Sequence, residues 1–160
     1  MKYCPSTTRS HPLSIRFPQF LENINTIIEN EGGTTLPFNN EVGILLDKIK
    51  DNSDKTLVKG LKSMDMVLGI NDHSHSNPHT LLVDLKFNCN GIKSFSDGDC
   101  KDKIRHSRLL LFGSGIPVYC RYVFVFNDNF LNESRSVISR RLNNPFIDVL
   151  NINDFRTTYF

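Results

Sequence analysis

The sequence predicts a single α/β domain, with a mixed central sheet flanked by helices. Three observations predict it. Leu81–Phe87 alternates, with Leu81, Val83, Leu85 and Phe87 on one face and Leu82, Asp84 and Lys86 on the other, which is the period of a strand. Val118–Phe126 (VYCRYVFVF) is too apolar to be solvated on both faces. Around these two lie segments whose apolar residues recur at helical spacing. The 160 residues contain no internal repeat and no linker. That length suits one domain and can bury most of its apolar surface without disulfides or structural metal.

The elements follow in order. Residues 1–16 are polar, contain Pro5 and Pro12, and predict an irregular arm. Phe17–Glu31 predicts a helix through Phe17, Phe20, Leu21, Ile24, Ile27 and Ile28, ended by Gly32-Gly33. A second helix follows, capped by Asn39 or Asn40, with Val42, Ile44, Leu45, Leu46 and Ile49 as its apolar face. Glu41 sits in its first turn, where the helix dipole favours a carboxylate. Thr56–Leu61 and Met64–Ile70 predict short strands, and Asn71–His79 a polar loop. After Leu81–Phe87, Asn88–Gly98 predicts a second loop, and Asp99–Phe112 a helix stopped by Gly113–Pro117. Asn129–Leu142 predicts a final helix, and the tail from Pro145 shows no clear period. The chain thus divides into an N-terminal arm and helix (1–38), a core (39–126), and a C-terminal helix and tail (127–160).

The composition, 39% hydrophobic and 22% charged, does not suggest a disordered chain. Phe is abundant and Trp absent, so the core is expected to rest on Phe, Leu, Ile and Val. No apolar run approaches the ~20 residues that span a bilayer, and Met1–Pro18 lacks the apolar stretch of a signal peptide. A cytoplasmic protein with no membrane partner is expected. Cys4, Cys89, Cys100 and Cys120 form no CxxC pair and read as reduced thiols. Cys89, Cys100 and His106 match no common zinc spacing. The net charge of +2 neither requires nor excludes nucleic acid. Basic residues concentrate at Lys101, Lys103, Arg105, His106 and Arg108, and again at Arg135, Arg140 and Arg141. Such runs are usually solvated helix faces.

The chemistry concentrates between Asp65 and Lys86. Asp84 and Lys86 project from the same face of an otherwise apolar strand. Charges placed there are costly unless paired or bound to a metal. Asp65 stands at the start of the preceding strand. If the two strands pair, Asp65 and Asp84 converge at one end of the sheet. Two adjacent carboxylates repel, and a divalent cation relieves the repulsion.

These residues resemble the PD-(D/E)XK nuclease superfamily, the restriction-endonuclease-like fold. Met64-Asp65, followed after eighteen residues by Asp84-Leu85-Lys86 in a hydrophobic strand, is similar to its motif. Met64 stands where the family commonly has Pro, and Asp84 replaces the more frequent Glu. The resemblance covers about half of the chain and implies an αβββαβ core, the order read from Glu41 to Phe126. It implies hydrolysis of phosphodiesters, most readily in DNA, with Mg²⁺ or Mn²⁺ as cofactor. Asp65 and Asp84 would hold the ion with the carbonyl of Leu85, and Lys86 would orient the attacking water. A Glu on the first core helix often joins such sites, which points to Glu41, or alternatively to Asp47. Lys101, Lys103, Arg105 and Arg108 would then meet the phosphates of duplex DNA. A homodimer is compatible with cutting two strands. The competing expectation is a non-catalytic module of this or another α/β fold that binds nucleic acid or protein.

Other signals are weaker. His73-Ser74-His75 resembles the His-x-His of metal-dependent amidohydrolases, but a barrel of that class needs about 250 residues. The histidine-triad pattern fails at Asn77. His106 with Cys89 or Cys120 carries no Cys-His signature, and Gly113-Ser114-Gly115 lacks the spacing of a nucleophile elbow. No phosphate-binding glycine loop is present.

Overall fold

A computed structural model of the chain describes residues 1–52, 61–72, 77–89 and 96–160. In chain order the elements are β1 (Lys2–Tyr3), α1 (Pro5–Ser10), α2 (Pro12–Arg16), a 3-10 turn (Pro18–Phe20), β2 (Leu21–Asn23), α3 (Ile24–Asn30), β3 (Val42–Leu45) and α4 (Leu46–Asn52). They continue with β4 (Met66–Asn71), β5 (His79–Lys86), α5 (Asp97–Leu110), β6 (Val118–Phe126), α6 (Asp128–Leu142), β7 (Ile147–Leu150) and α7 (Ile152–Tyr159).

The described strands form one mixed seven-stranded sheet in the order β2-β3-β4-β5-β6-β7, with β1 added on β4. From β2 to β5 the neighbours are antiparallel, whereas β5, β6 and β7 run parallel. β1 pairs with the end of β4 at Tyr3↔Ile70, while β3 pairs with its start at Leu45↔Met66. The two short strands therefore share one edge of β4.

Alternation along the central strands builds a core on each face. Met66, Leu68 and Ile70 of β4, with Leu81, Val83 and Leu85 of β5, meet Ile24, Ile27 and Ile28 of α3 and Phe155 of α7. On the other face Val67, Leu82, Tyr122 and Phe124 meet Ile49 of α4, Cys100 of α5 and Ile138 of α6. Burying apolar area is the main driving force for such a layered arrangement. Among the described residues no helix is long and apolar enough to cross a membrane.

Several sequence expectations change. The helix expected from Glu41 is instead β3 followed directly by α4. Val42 and Ile44 are β-branched and favour a strand. Gly43 sits where a Cβ would lie 2.4 Å from the Met66 Sδ, so its missing side chain leaves the room that the Met66 side chain fills. The helix expected over 17–31 shrinks to α3, because Leu21–Asn23 pairs with β3 and the Asn23 side chain then caps α3 by accepting the Asn25 N–H at 2.8 Å.

The N-terminal arm is ordered. α1 and α2 both start on a proline, whose fixed φ suits a first helical position. Thr8 Oγ1 accepts the Gly69 N–H at 2.9 Å and ties α1 to β4. The C-terminal tail supplies β7 and α7. The strand expected at Thr56–Leu61 lies, apart from its last residue, outside the described residues. So do His73, His75 and much of the two expected loops. None of the four cysteines is in a disulfide.

Candidate active site

The pairing of β4 with β5 brings the predicted residues together. The last paired residues are Met66↔Val83. One step further sets Asp65 opposite Asp84, with the Asp65 N–H donating to the Val83 carbonyl at 3.1 Å. Both carboxylates project on the α5 side of the sheet. Asp65 shares parity with Val67, and Asp84 with Leu82, and those two belong to that face. Like charges directly opposite across two strands repel. Here Asp84 is fully buried, so solvent screens the repulsion weakly.

Three groups hold the pair. Lys103 Nζ, from α5, lies 3.2 Å from Asp65 Oδ1 and also contacts Asp84 Oδ1. Lys86 Nζ contacts Asp84 Oδ2. The Leu85 N–H donates to Asp65 Oδ2 at 2.7 Å. Even so, burial pushes the Asp65 carboxyl up to about 7, and the charge of Asp84 pushes the same way. Burial works against the charge of Lys103, but Asp84 and Asp65 outweigh it and raise its ammonium above the ordinary lysine range.

The irregular segment that leads into β4, residues 61–64, is moored to α5. Ser107 Oγ accepts the Met64 N–H at 2.8 Å, and His106 Nδ1 accepts the Lys62 N–H at 3.1 Å. Lys62 also pairs with Asp99. The helix that delivers Lys103 thus fixes the backbone that delivers Asp65.

Two further carboxylates lie in electrostatic reach of one another, and one of them, Glu31, in reach of the cluster. Glu31 follows α3, and burial pushes its carboxyl upward. Asp47 and Asp84 add to that shift, while Lys103 and Lys86 oppose it. Glu31 therefore shares the field of the site. It is carried there by Gly32-Gly33, which press against the end of β5. A Cβ on Gly33 would lie 2.9 Å from the Phe87 ring, and one on Gly32 2.1 Å from the Asn88 amide oxygen. Asp47 stands in the first turn of α4, next to Leu46, whose N–H donates to the Asp65 carbonyl at 3.0 Å. Its Oδ1 is buried with no hydrogen-bond donor among the described residues.

Other predicted residues lie apart. Glu41 precedes β3 at the end away from Asp65. Its Oε2 accepts the Asn39 N–H at 2.6 Å, and it lines a cleft with Asn153, Arg156 and Thr157. It is not at a helix start, because residues 42–45 are strand. On α5, Lys101, Arg105 and Arg108 are exposed, whereas Lys103 turns inward with Cys100 and Ser107. Arg105 pairs with Asp102 at 3.0 Å, and Arg108 donates to the Tyr122 hydroxyl at 2.7 Å. Among the described residues no group of three or more His, Cys, Asp or Glu side chains is arranged to hold a metal ion.

The chain matches no protein-family model, no curated protein and no solved structure. What it does must therefore be argued from this site.

Sequence reasoning passed over the inward role of Lys103 and the nearness of Glu31. Both left a signal. Cys100, Lys103 and Ser107 are three and four apart, the spacing of one helix face. Glu31 directly precedes two glycines, which allow the close approach of backbone that brings it to β5.

Proposed function

We propose that the chain is a divalent-metal-dependent nuclease of the PD-(D/E)XK kind, acting on duplex DNA. The observation that supports this most is the placement of Asp65 opposite Asp84 on one face of the sheet, with Lys86 two residues along the same strand. The order α3-β3-β4-β5-α5-β6 also agrees with the αβββαβ core that the resemblance implies, with α4 as an insertion.

The donor set suits Mg²⁺ or Mn²⁺. Both ions take hard oxygen ligands, and Mg²⁺ commonly uses only one or two carboxylates, with water and substrate phosphate completing its shell. Asp65 and Asp84 offer oxygens that already converge on one cation, the Lys103 ammonium. Asp47 Oδ1, buried with no hydrogen-bond donor among the described residues, is a further oxygen on α4, the helix whose first N–H donates to the Asp65 carbonyl. In this reading Glu31, just after α3, stands in for Glu41 as the further carboxylate in the field of the site. The Leu85 carbonyl completes the proposed set. A divalent ion there would supply an acidified water and offset charge on the scissile phosphate.

The chain's own residues do the rest. Lys86, anchored on Asp84, holds an ammonium at the mouth of the cluster, where it orients water and offsets negative charge that develops on phosphorus. Lys101, Arg105 and Arg108 present cations to the phosphate backbone. The position is the carboxyl end of β5 beside parallel β6, a common place for ligands in open α/β sheets.

One observation favours the alternative of a non-catalytic binding module: two lysines already balance the two aspartates. Incubating supercoiled plasmid with the protein and Mg²⁺ or Mn²⁺ separates the two. Cleavage that EDTA stops, and that Asp84→Ala or Lys86→Ala abolishes, is expected. Glu31→Gln and Asp47→Asn are expected to slow it, and Glu41→Gln to leave it unchanged. No cleavage with either ion would favour the binding module, and cleavage undiminished in Asp84→Ala would move the activity elsewhere.

A further inference from the structure

We propose that Lys103 is the internal counter-cation of the metal-free site. Its ammonium occupies the position between Asp65 and Asp84 that a divalent ion takes in the function proposed above, and it leaves that position when the ion binds. This rests on the metal-binding reading of the site and adds a gate to it.

The geometry separates the two lysines. Among the described residues Lys86 pairs with Asp84 alone, through Oδ2, and comes from the same strand. Lys103 comes from α5 and reaches across to Oδ1 of both aspartates. It is the only ammonium in contact with Asp65 among the described residues. A cation that binds both carboxylates at once must use the edges that face each other, and those edges are where Lys103 sits. Asp84 is fully buried, so without some cation at that point two like charges would be opposed with little solvent screening. A lysine is suited to temporary service there. It is a point charge on a flexible four-carbon stem, and it can withdraw without breaking a planar two-bond fork of the kind arginine makes. Its withdrawal need not unmoor the site. The backbone at Met64 is held by Ser107, and that at Lys62 by His106, independently of Lys103.

The exchange is directional. Lys103 stabilises the empty site and competes with the ion, so it lowers metal affinity while keeping the cluster assembled. Removing its charge should tighten ion binding and weaken the empty protein. Replacing it with arginine should hold the carboxylates more firmly and loosen ion binding.

The test uses Mn²⁺ alone as the probe, on the full chain. Isothermal titration is run on the wild type, Lys103→Met and Lys103→Arg. Lys103→Met is expected to bind Mn²⁺ about ten-fold tighter or more, the scale on which one adjacent opposite charge acts on a carboxylate. It is also expected to melt lower than wild type in EDTA and to recover with Mn²⁺. Lys103→Arg, which keeps the charge and safeguards against a misfolded methionine variant, is expected to bind more weakly than wild type. In the wild type, competitive amine labelling read by peptide mass spectrometry should show Lys103 modified several-fold faster with Mn²⁺ than with EDTA. Equal or weaker Mn²⁺ binding in a folded Lys103→Met, or unchanged labelling of Lys103 with the ion demonstrably bound, would overturn the gate and leave the metal site standing. Absence of Mn²⁺ binding in wild type and both variants would overturn the metal site itself.

Discussion

Two charge clusters on this sheet are built on opposite principles. At the β6–β7 edge, Asp148 meets one cation and one hydroxyl: Arg121 contacts Oδ1, and the Tyr159 hydroxyl donates to Oδ2 at 2.6 Å. One negative charge meets one positive, and both oxygens are partnered. Burial and the bond to Asp148 push the Tyr159 hydroxyl above its ordinary range, so it stays a donor. At the β4–β5 end, two carboxylates are forced together in a buried place and two lysines are gathered to hold them. Asp65 is still pushed up to about 7. The first cluster resolves a packing need. The second concentrates like charge where well-packed apolar residues of similar volume would be as stable or more so. Electrostatic cost gathered at the end of a strand, on side chains of β5, α5 and the residue before β4, is a pattern shared by functional sites and structural ion-pair networks, and it is the basis of the function proposed above.

The contrast can be broken most sharply by activity. Asp84→Asn is expected to lower Mg²⁺-dependent plasmid cleavage by about 10²–10³-fold or more, the scale of losing one preorganised electrostatic group. Asp148→Asn is expected to leave it unchanged. Equal losses in both would erase the distinction between the clusters.

Stability against pH sharpens it next. A carboxyl whose folded pKa is raised binds more protons folded than unfolded, between its ordinary value and the raised one. For Asp65 that window runs from the usual aspartate range to about 7. Stability is therefore lost as pH rises through the window. Urea unfolding in EDTA at pH 5 and pH 8 should show wild type losing on the order of a few kcal/mol more than Asp65→Asn. Parallel losses in the two proteins would show that Asp65 is not strained. Tyr159→Phe is expected to cost about 1 kcal/mol, as one buried hydrogen bond does, with cleavage unaffected.

The smallest expected effects are on the outer face of α5. Lys101→Ala and Arg105→Ala should each reduce the salt dependence of duplex binding by about one unit of slope. Binding that ignores salt would remove α5 as a DNA face.

Much of this was legible in the sequence, for identifiable reasons. β5, β6, α5 and α6 carry long, regular patterns that tertiary contacts reinforce. The convergence of Asp65 and Asp84 followed from strand parity and antiparallel pairing. β3 was not legible, because its four residues run directly into the apolar Leu46 and Ile49 of α4 and fit one continuous helix as well as a strand. Its identity is set by pairing with β2 and β4, partners remote in sequence. β7 is half-buried throughout and shows no alternation. In the N-terminal arm, His11 is buried, caps α2 through Nδ1 and meets Thr80 Oγ1 at 3.1 Å. Burial lowers its pKa to about 4. Nothing local in a polar, proline-bearing stretch announces that role. Lys103 was grouped with its basic neighbours because composition, rather than helix phase, was the stronger pattern there.

The central claim is that Asp65 and Asp84 share one divalent ion. Anomalous diffraction from crystals grown with Mn²⁺, at a concentration that supports cleavage, tests it most directly. A single strong peak between the two carboxylates, with the Lys103 side chain withdrawn, is the expected result. Both aspartates still joined by Lys103 and no peak between them would contradict it.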